Sequence, residues 1–212
     1  MTREKSIKFR QGNQNMVEVV GKLEEEFQYS HTIGGKVFYK ATIVIPRLSG
    51  TRDYIPVIAE ERLIMDFNGK NAYIKGEIHS INYRDKNHKI HVKLFLHARE
   101  ISFAIDKEIA DKNFVLLEGY LCKKTEFRFT PSGRKLSDFI IAVNRKYERS
   151  DYIVCLAWGD LAEEISKAKV GDKIKVTGRF QSRQYFKAVS PGSDEGEYRT
   201  TYEVSINTLD KW

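Results

Sequence analysis

Hydrophobic and polar residues alternate along most of this 212-residue chain, and a period of two marks strands with one buried face. In the second half, VLLEGYL (115–121), FIIAV (139–143), DYIVCLAW (151–158), KIKVTGRF (173–180) and TYEVSIN (201–207) are five such runs, punctuated by Gly, Pro and Ser. One stretch follows a helical period instead: DLAEEISKAKV (160–170) places Leu161, Ile165 and Ala168 on one face, with Gly171 as its stop. Five strands with one short helix before the fourth is the element order of a small, closed or nearly closed Greek-key barrel.

The same pattern occurs twice. EFQYSHTIGGKVFYKATIVIPR (26–47) is echoed by EFRFTPSGRKLSDFIIAVNR (126–145), DYIPVIA (53–59) by DYIVCLA (151–157), and AYIKGEIHSINY (72–83) by IKVTGRFQSRQY (174–185). The offset is 98 residues from Gly21 to Gly119 and from Tyr54 to Tyr152, and 102 from Tyr83 to Tyr185, as small loop insertions require. The mid-strand glycines Gly119 and Gly178 also return, as Gly21 and Gly76, where sharply bent barrel strands need them. In the first copy the helical stretch, ERLIMDFN (61–68), is shorter by about a turn. The expected fold is all-β: two tandem OB-folds, five-stranded Greek-key barrels each with one short helix. The expected division is a polar extension at 1–14, a divergent first barrel at 15–110 and a second at 111–212.

Composition narrows the partner. The net charge of +7 points to a polyanion, and the excess is shared by both halves rather than gathered in a tail. Cys122 and Cys155 form no C-x-x-C pair, so both are expected to be small core residues rather than zinc ligands or a disulfide. No apolar run approaches the roughly 18 residues of a membrane span, and the polar start has no signal-peptide core. A cytoplasmic, nucleoid-associated location is expected, with no membrane contact.

The second copy resembles the bacterial single-stranded DNA-binding protein family. The matching residues are NFVLLEGYL, EFRFTPSGRKLSDFIIAVNRKY, DYIVCLAWGDLAEEI and VGDKIKVTGRFQSRQY, in that order. The first copy resembles the family through its likeness to the second. By position, the resemblance implies base stacking on Tyr147, Tyr152, Trp158 and Tyr185, since every base has a π-face and stacking tolerates any sequence. Arg128, Arg134, Lys135, Arg145, Lys146, Arg149, Arg179 and Arg183 are interleaved with these rings, as cations that neutralise phosphates would be. In the first copy Tyr54, Tyr83 and Arg47 match Tyr152, Tyr185 and Arg145, but Ser49 stands for Tyr147 and Glu60 for Trp158. A carboxylate in place of a ring repels a phosphate backbone, so weaker or differently routed binding is expected there.

The expected function is sequence-nonspecific single-stranded DNA binding in replication, recombination or repair, with replication or recombination proteins as further partners. The alternative is an accessory OB-fold interaction protein of a primosome, recombination system or mobile element. The family commonly ends in an acidic tip finishing in Phe, whereas this chain ends NTLDKW; that favours the alternative. With four OB domains usual in the family's assemblies, a homodimer is expected. His31, His79, His88, His91 and His97 lack the cysteines or clustered carboxylates of a metal site, and no nucleotide-binding or hydrolase motif is present. Neither a cofactor nor catalysis is expected.

Overall fold

The structure, a computed structural model, describes residues 15–65, 71–84, 88, 90–103, 112–145, 149–190 and 193–211. Six strands fold from the first copy: β1 (Asn15–Leu23), β2 (Gln28–Ile33), β3 (Lys36–Pro46), β4 (Arg52–Glu60), β5 (Asn71–Arg84) and β6 (Ile90–Ser102). The second gives β7 (Asn113–Leu121), β8 (Glu126–Phe129), β9 (Lys135–Asn144), β10 (Ser150–Trp158), β11 (Lys173–Ala188) and β12 (Gly196–Lys211), with helix α1 (Asp160–Ser166) before β11. Each copy curls into a barrel: β3 closes onto β1 in the first and β9 onto β7 in the second.

The alternation predicts the inward positions. Ile55, Val57 and Ala59 on β4, and Ile153, Cys155 and Ala157 on β10, are fully buried. Gly21 and Gly119 sit where the barrels close: a Cβ on Gly119 would fall against the Ala142 carbonyl oxygen, and one on Gly21 against that of Val44. Only glycine lets the strands approach this closely. The ladder shifts register beside Gly76 of β5, where β6 carries the extra residue Arg99, and again beside Gly178 of β11, where β12 carries Asn207.

The five strands expected of each barrel close in the orders β1-β3-β4-β6-β5 and β7-β9-β10-β12-β11; β2 and β8 are additional edge strands paired with β3 and β9, with little or no burial on either face, so they carry no alternation to read. Two other local expectations change. The helix ends at Ser166, short of 170, and in the first barrel the described part of the matching stretch holds a 3-10 turn at Glu61–Leu63, residues 66–68 lying outside the described residues. Cys155 is buried as expected, but Cys122 is exposed, just beyond the end of β7.

The barrels join through their first strands. β1 pairs antiparallel with β7, Met16 opposite Leu116 and Val17 opposite Val115, making one continuous sheet of twelve strands. Asn15 and Asn113 extend the barrel ladders with their side chains: Asn15 Nδ2 donates to Ile78 O (2.7 Å) and Asn113 Nδ2 to Phe180 O (2.8 Å). The return bonds come from Ile78 N and Phe180 N, each 2.9 Å from an asparagine Oδ1.

Candidate nucleic-acid interface

On the second barrel, β10 carries Tyr152 near one end and Trp158 at the other. Six residues apart on an alternating strand, they share a face and lie roughly 20 Å apart along it. Tyr152 is exposed and Trp158 half-buried. A groove of about 310 Å³ opens on the sheet formed by β8, β9 and β10, lined by Lys123, Lys124 and Arg128, by Glu126 and Asp138, which pair with Lys123 and Arg128, and by apolar residues that include Ile140 and Val154. Rings and cations thus share one surface.

Local chemistry sets the Trp158 end. The Thr130-Pro131-Ser132-Gly133 turn is closed by Gly133 N donating to Thr130 O (2.8 Å), with Gly133 at φ +77°, a conformation that glycine adopts freely. It delivers Arg134 over Trp158, guanidinium carbon 4.6 Å from the ring centroid, a cation–π contact that places a phosphate-binding group against a stacking surface. Lys135 pairs with Glu163 of α1 and Arg128 with Asp138.

Tyr185 is exposed on the arm formed by β11 and β12, with the Arg183 guanidinium 5.7 Å from its ring. Arg183 also reaches the buried Glu203 at 3.3 Å. Arg179 hydrogen-bonds Gln181 through Nε at 3.3 Å, and burial, then the nearby Arg47, lower its pKa. Tyr147 and Lys146 lie outside the described residues. They fall between Arg145 and Arg149, whose backbones are joined by a 2.7 Å hydrogen bond from Arg145 N; the Arg149 side chain is exposed.

The first barrel presents Tyr54 on β4 and Tyr83 on β5, both exposed, with Tyr83 stacked on His91 at 5.4 Å. Glu60 takes the place of Trp158: it faces Phe38 across the ladder as Trp158 faces Leu136. Its charge is met by Lys36 and Arg62, each 3.1 Å away, and the Lys36 hydrogen bond holds its pKa below the usual carboxylate range. Ser49 lies in the exposed turn after β3, bonded to Thr51 at 3.2 Å.

Arg47 and Arg145 are each engaged in an ion pair within their own barrel, where it abuts the other. Arg47 Nε donates to Asp53 Oδ2 at 2.8 Å, and Arg145 Nε lies 2.9 Å from Asp151 Oδ2, with both carboxylates fully buried. Each aspartate also accepts the backbone N–H of a serine on the other barrel: Ser182 for Asp53 (2.8 Å) and Ser80 for Asp151 (2.6 Å). Arg145 further approaches His79 Nδ1 at 3.2 Å, and the His79 ring stacks on His97 at 4.7 Å. These aspartates and serines are absent from the sequence-derived site. The signal for them was the repeat itself, which conserves Asp before Tyr in DYIPVIA and DYIVCLA and Ser three residues before Tyr83 and Tyr185.

Among the described residues, no group of three or more His, Cys, Asp or Glu side chains could hold a metal ion. No helix there is long and apolar enough to cross a membrane.

Residues 112–211 match the model of the single-strand binding protein family. Single-stranded DNA-binding protein 1 of Streptococcus pyogenes serotype M18 is 41% identical over 80 residues, 34% of this chain and 62% of that protein. The single-stranded DNA-binding protein of Fusobacterium nucleatum is 36% identical over 107 residues, 46% of this chain and 65% of that one. The chain thus spans between about half and two thirds of the length of the curated relatives it matches. In fold, the crystal structure of wild-type single-stranded DNA binding protein from Thermus aquaticus superimposes with a TM-score of 0.71 at 22% identity, over 93% of this chain and 92% of that one. The superposition takes in both barrels, and the match to the single-strand binding protein family falls on the second, just under half of the chain.

Proposed function

We propose that the protein binds single-stranded DNA with little sequence preference, stacking bases on Tyr152, Trp158 and Tyr185 and holding phosphates with nearby cations. Exposed Tyr152 and half-buried Trp158 on one face of β10, above a groove lined by Lys123, Lys124 and Arg128, carry this reading. Stacking is worth about 1–3 kcal/mol per base whatever the base, which suits a protein that coats rather than reads its ligand. Arg134 and Arg183, each against an aromatic ring, can meet phosphate while the ring meets the base. Arg149, exposed just before β10, adds a cation to this path, and the family resemblance assigns Tyr147 and Lys146 the same roles. Arg128, Lys135 and Arg179 support it from its edges, within ion pairs and hydrogen bonds that phosphate can share.

The first barrel contributes Tyr54 and Tyr83 and binds more weakly, because Glu60 takes a ring's place and draws Lys36 and Arg62 to itself. Arg47 and Arg145 act mainly in joining the barrels. Two chains associate as a homodimer carrying four barrels, the number that the family resemblance implies, and the complex protects single strands in replication, recombination or repair. Light scattering that finds a monodisperse monomer overturns the assembly.

Fluorescence anisotropy with labelled oligo(dT), an RNA of equal length and a duplex tests the binding reading. Oligo(dT) should bind submicromolar and the duplex far more weakly. For about five phosphate contacts, log K should fall with log salt at a slope near −3.5, from about −0.7 per contact. A preference for duplex sinks the proposal.

A further inference from the structure

The backbone at each exposed β4 and β10 tyrosine is held by the opposite barrel. Tyr152 N donates to Ser80 Oγ at 3.0 Å, and Tyr54 N donates to Ser182 Oγ at 2.8 Å. β12 pairs with β10 only at Cys155 and Leu156, and β6 with β4 only at Val57 and Ile58. The edge of each strand beside its tyrosine is therefore open within its own barrel, and a serine of the other barrel takes the backbone N–H. An open edge lets a strand shift, and a fixed donor and acceptor on it remove that freedom.

Each serine is fixed in turn. Ser80 gives both its backbone N–H (2.6 Å) and its hydroxyl (3.2 Å) to Asp151 Oδ1. Ser182 donates its N–H to Asp53, and its carbonyl oxygen accepts from Arg47 Nη2 at 3.2 Å. Because the aspartates are fully buried and ion-paired, they have no competing water and little room to move. Ser80 lies three residues before Tyr83 and Ser182 three before Tyr185, roughly 10 Å along the strand. The junction thereby fixes a tyrosine of one barrel's arm relative to a tyrosine of the other barrel.

We propose that Ser80 and Ser182 are positioning residues of the single-strand interface, each setting from one barrel the stacking tyrosine of the other, Tyr152 and Tyr54 respectively. The assignment rests on the single-strand reading given above. The two barrels then form one composite binding surface in which neither tyrosine is oriented by its own barrel alone.

A double-mutant cycle on the full chain tests this, with oligo(dT) affinity as one readout and hydrogen exchange of the tyrosine amides, without DNA, as another. Losing one hydrogen bond corresponds to roughly a fivefold to tenfold loss, so Ser80→Ala should weaken binding by about that factor. Ser80→Thr, which keeps the hydroxyl, should bind within twofold of the wild type and shows that the fold survives change at this position. In a Tyr152→Ala background Ser80→Ala should add less than twofold, while Ser182→Ala should keep its full effect. Exchange at the Tyr152 amide should accelerate in Ser80→Ala and not in Ser182→Ala. Undiminished affinity of Ser80→Ala, or an effect equally large with and without Tyr152, overturns the assignment while leaving the single-strand reading intact. A wild-type protein that fails to bind oligo(dT) overturns that reading, and this assignment with it.

Discussion

Trp158 and Glu60 occupy equivalent places in the two barrels, each opposite an apolar residue of the neighbouring strand and each beside a cation. The cation differs in use. Arg134 lies over a neutral ring and keeps its charge for a ligand, whereas Lys36 and Arg62 are matched by a carboxylate. Trp158→Ala should therefore weaken oligo(dT) binding by about 1–3 kcal/mol, measured by anisotropy, and Glu60→Ala should change it much less. Acid sensitivity also resides in single residues. Burial, with repulsion from His79 and Arg99, pushes His97 down to about 4. The unfolded chain takes up a proton near 6.5 that the folded chain refuses until about 4, so stability falls as pH drops through that window. Glu77, held down to about 2 first by its hydrogen bond with His79, adds a second loss as pH falls from 4.5 towards 2. Urea unfolding at stepped pH should show the upper loss, on the order of 1–2 kcal/mol after solvent screening, and His97→Gln should remove it.

Among the elements, those that bury one face were legible from alternation, and the repeat supplied their order. β2 and β8 were not, because an edge strand exposed on both faces leaves no pattern. The helix stops early because only Ala162 and Ile165 reach full burial, and Lys167 already closes the turn onto Glu164 and Ile165 carbonyls. Tyr152, Trp158 and Tyr185 were singled out by position, and the structure leaves Tyr152 and Tyr185 exposed and Trp158 half-buried. What escaped was the engagement of Arg47 and Arg145, since sequence shows a cation but not the buried carboxylate facing it. The glycines make the sharpest test of barrel closure. Gly119→Ala forces a Cβ onto the Ala142 carbonyl where β7 meets β9, a backbone clash that cannot be relieved by a rotamer. It should cost about 1–3 kcal/mol, read as a lowered thermal midpoint.

Across the whole molecule, the β1–β7 pairing and the two Arg–Asp–Ser junctions make the barrels one unit related by a near two-fold repeat. The repeat preserves the junctions residue for residue while letting the binding face diverge, with Trp158 on one side and Glu60 on the other. Their chemistry divides accordingly: the buried, ion-paired aspartates hold serines of the opposite barrel, and the exposed rings and outer cations are the groups we propose for the ligand. Breaking one junction should be costly, because removing a partner strands a buried charge. Asp151→Ala should lose about 3–5 kcal/mol of stability in denaturant unfolding, well above the loss for Ser80→Ala.

The central claim is that Trp158 is a base-stacking surface. The chain has two tryptophans, Trp158 and Trp212, so a Trp212→Phe protein isolates the fluorescence of Trp158. Titration with oligo(dT) should quench that emission saturably, with the same midpoint as anisotropy and with loss of affinity as salt rises. Emission that stays constant while the oligonucleotide binds, or that responds to duplex rather than single strands, would contradict the account.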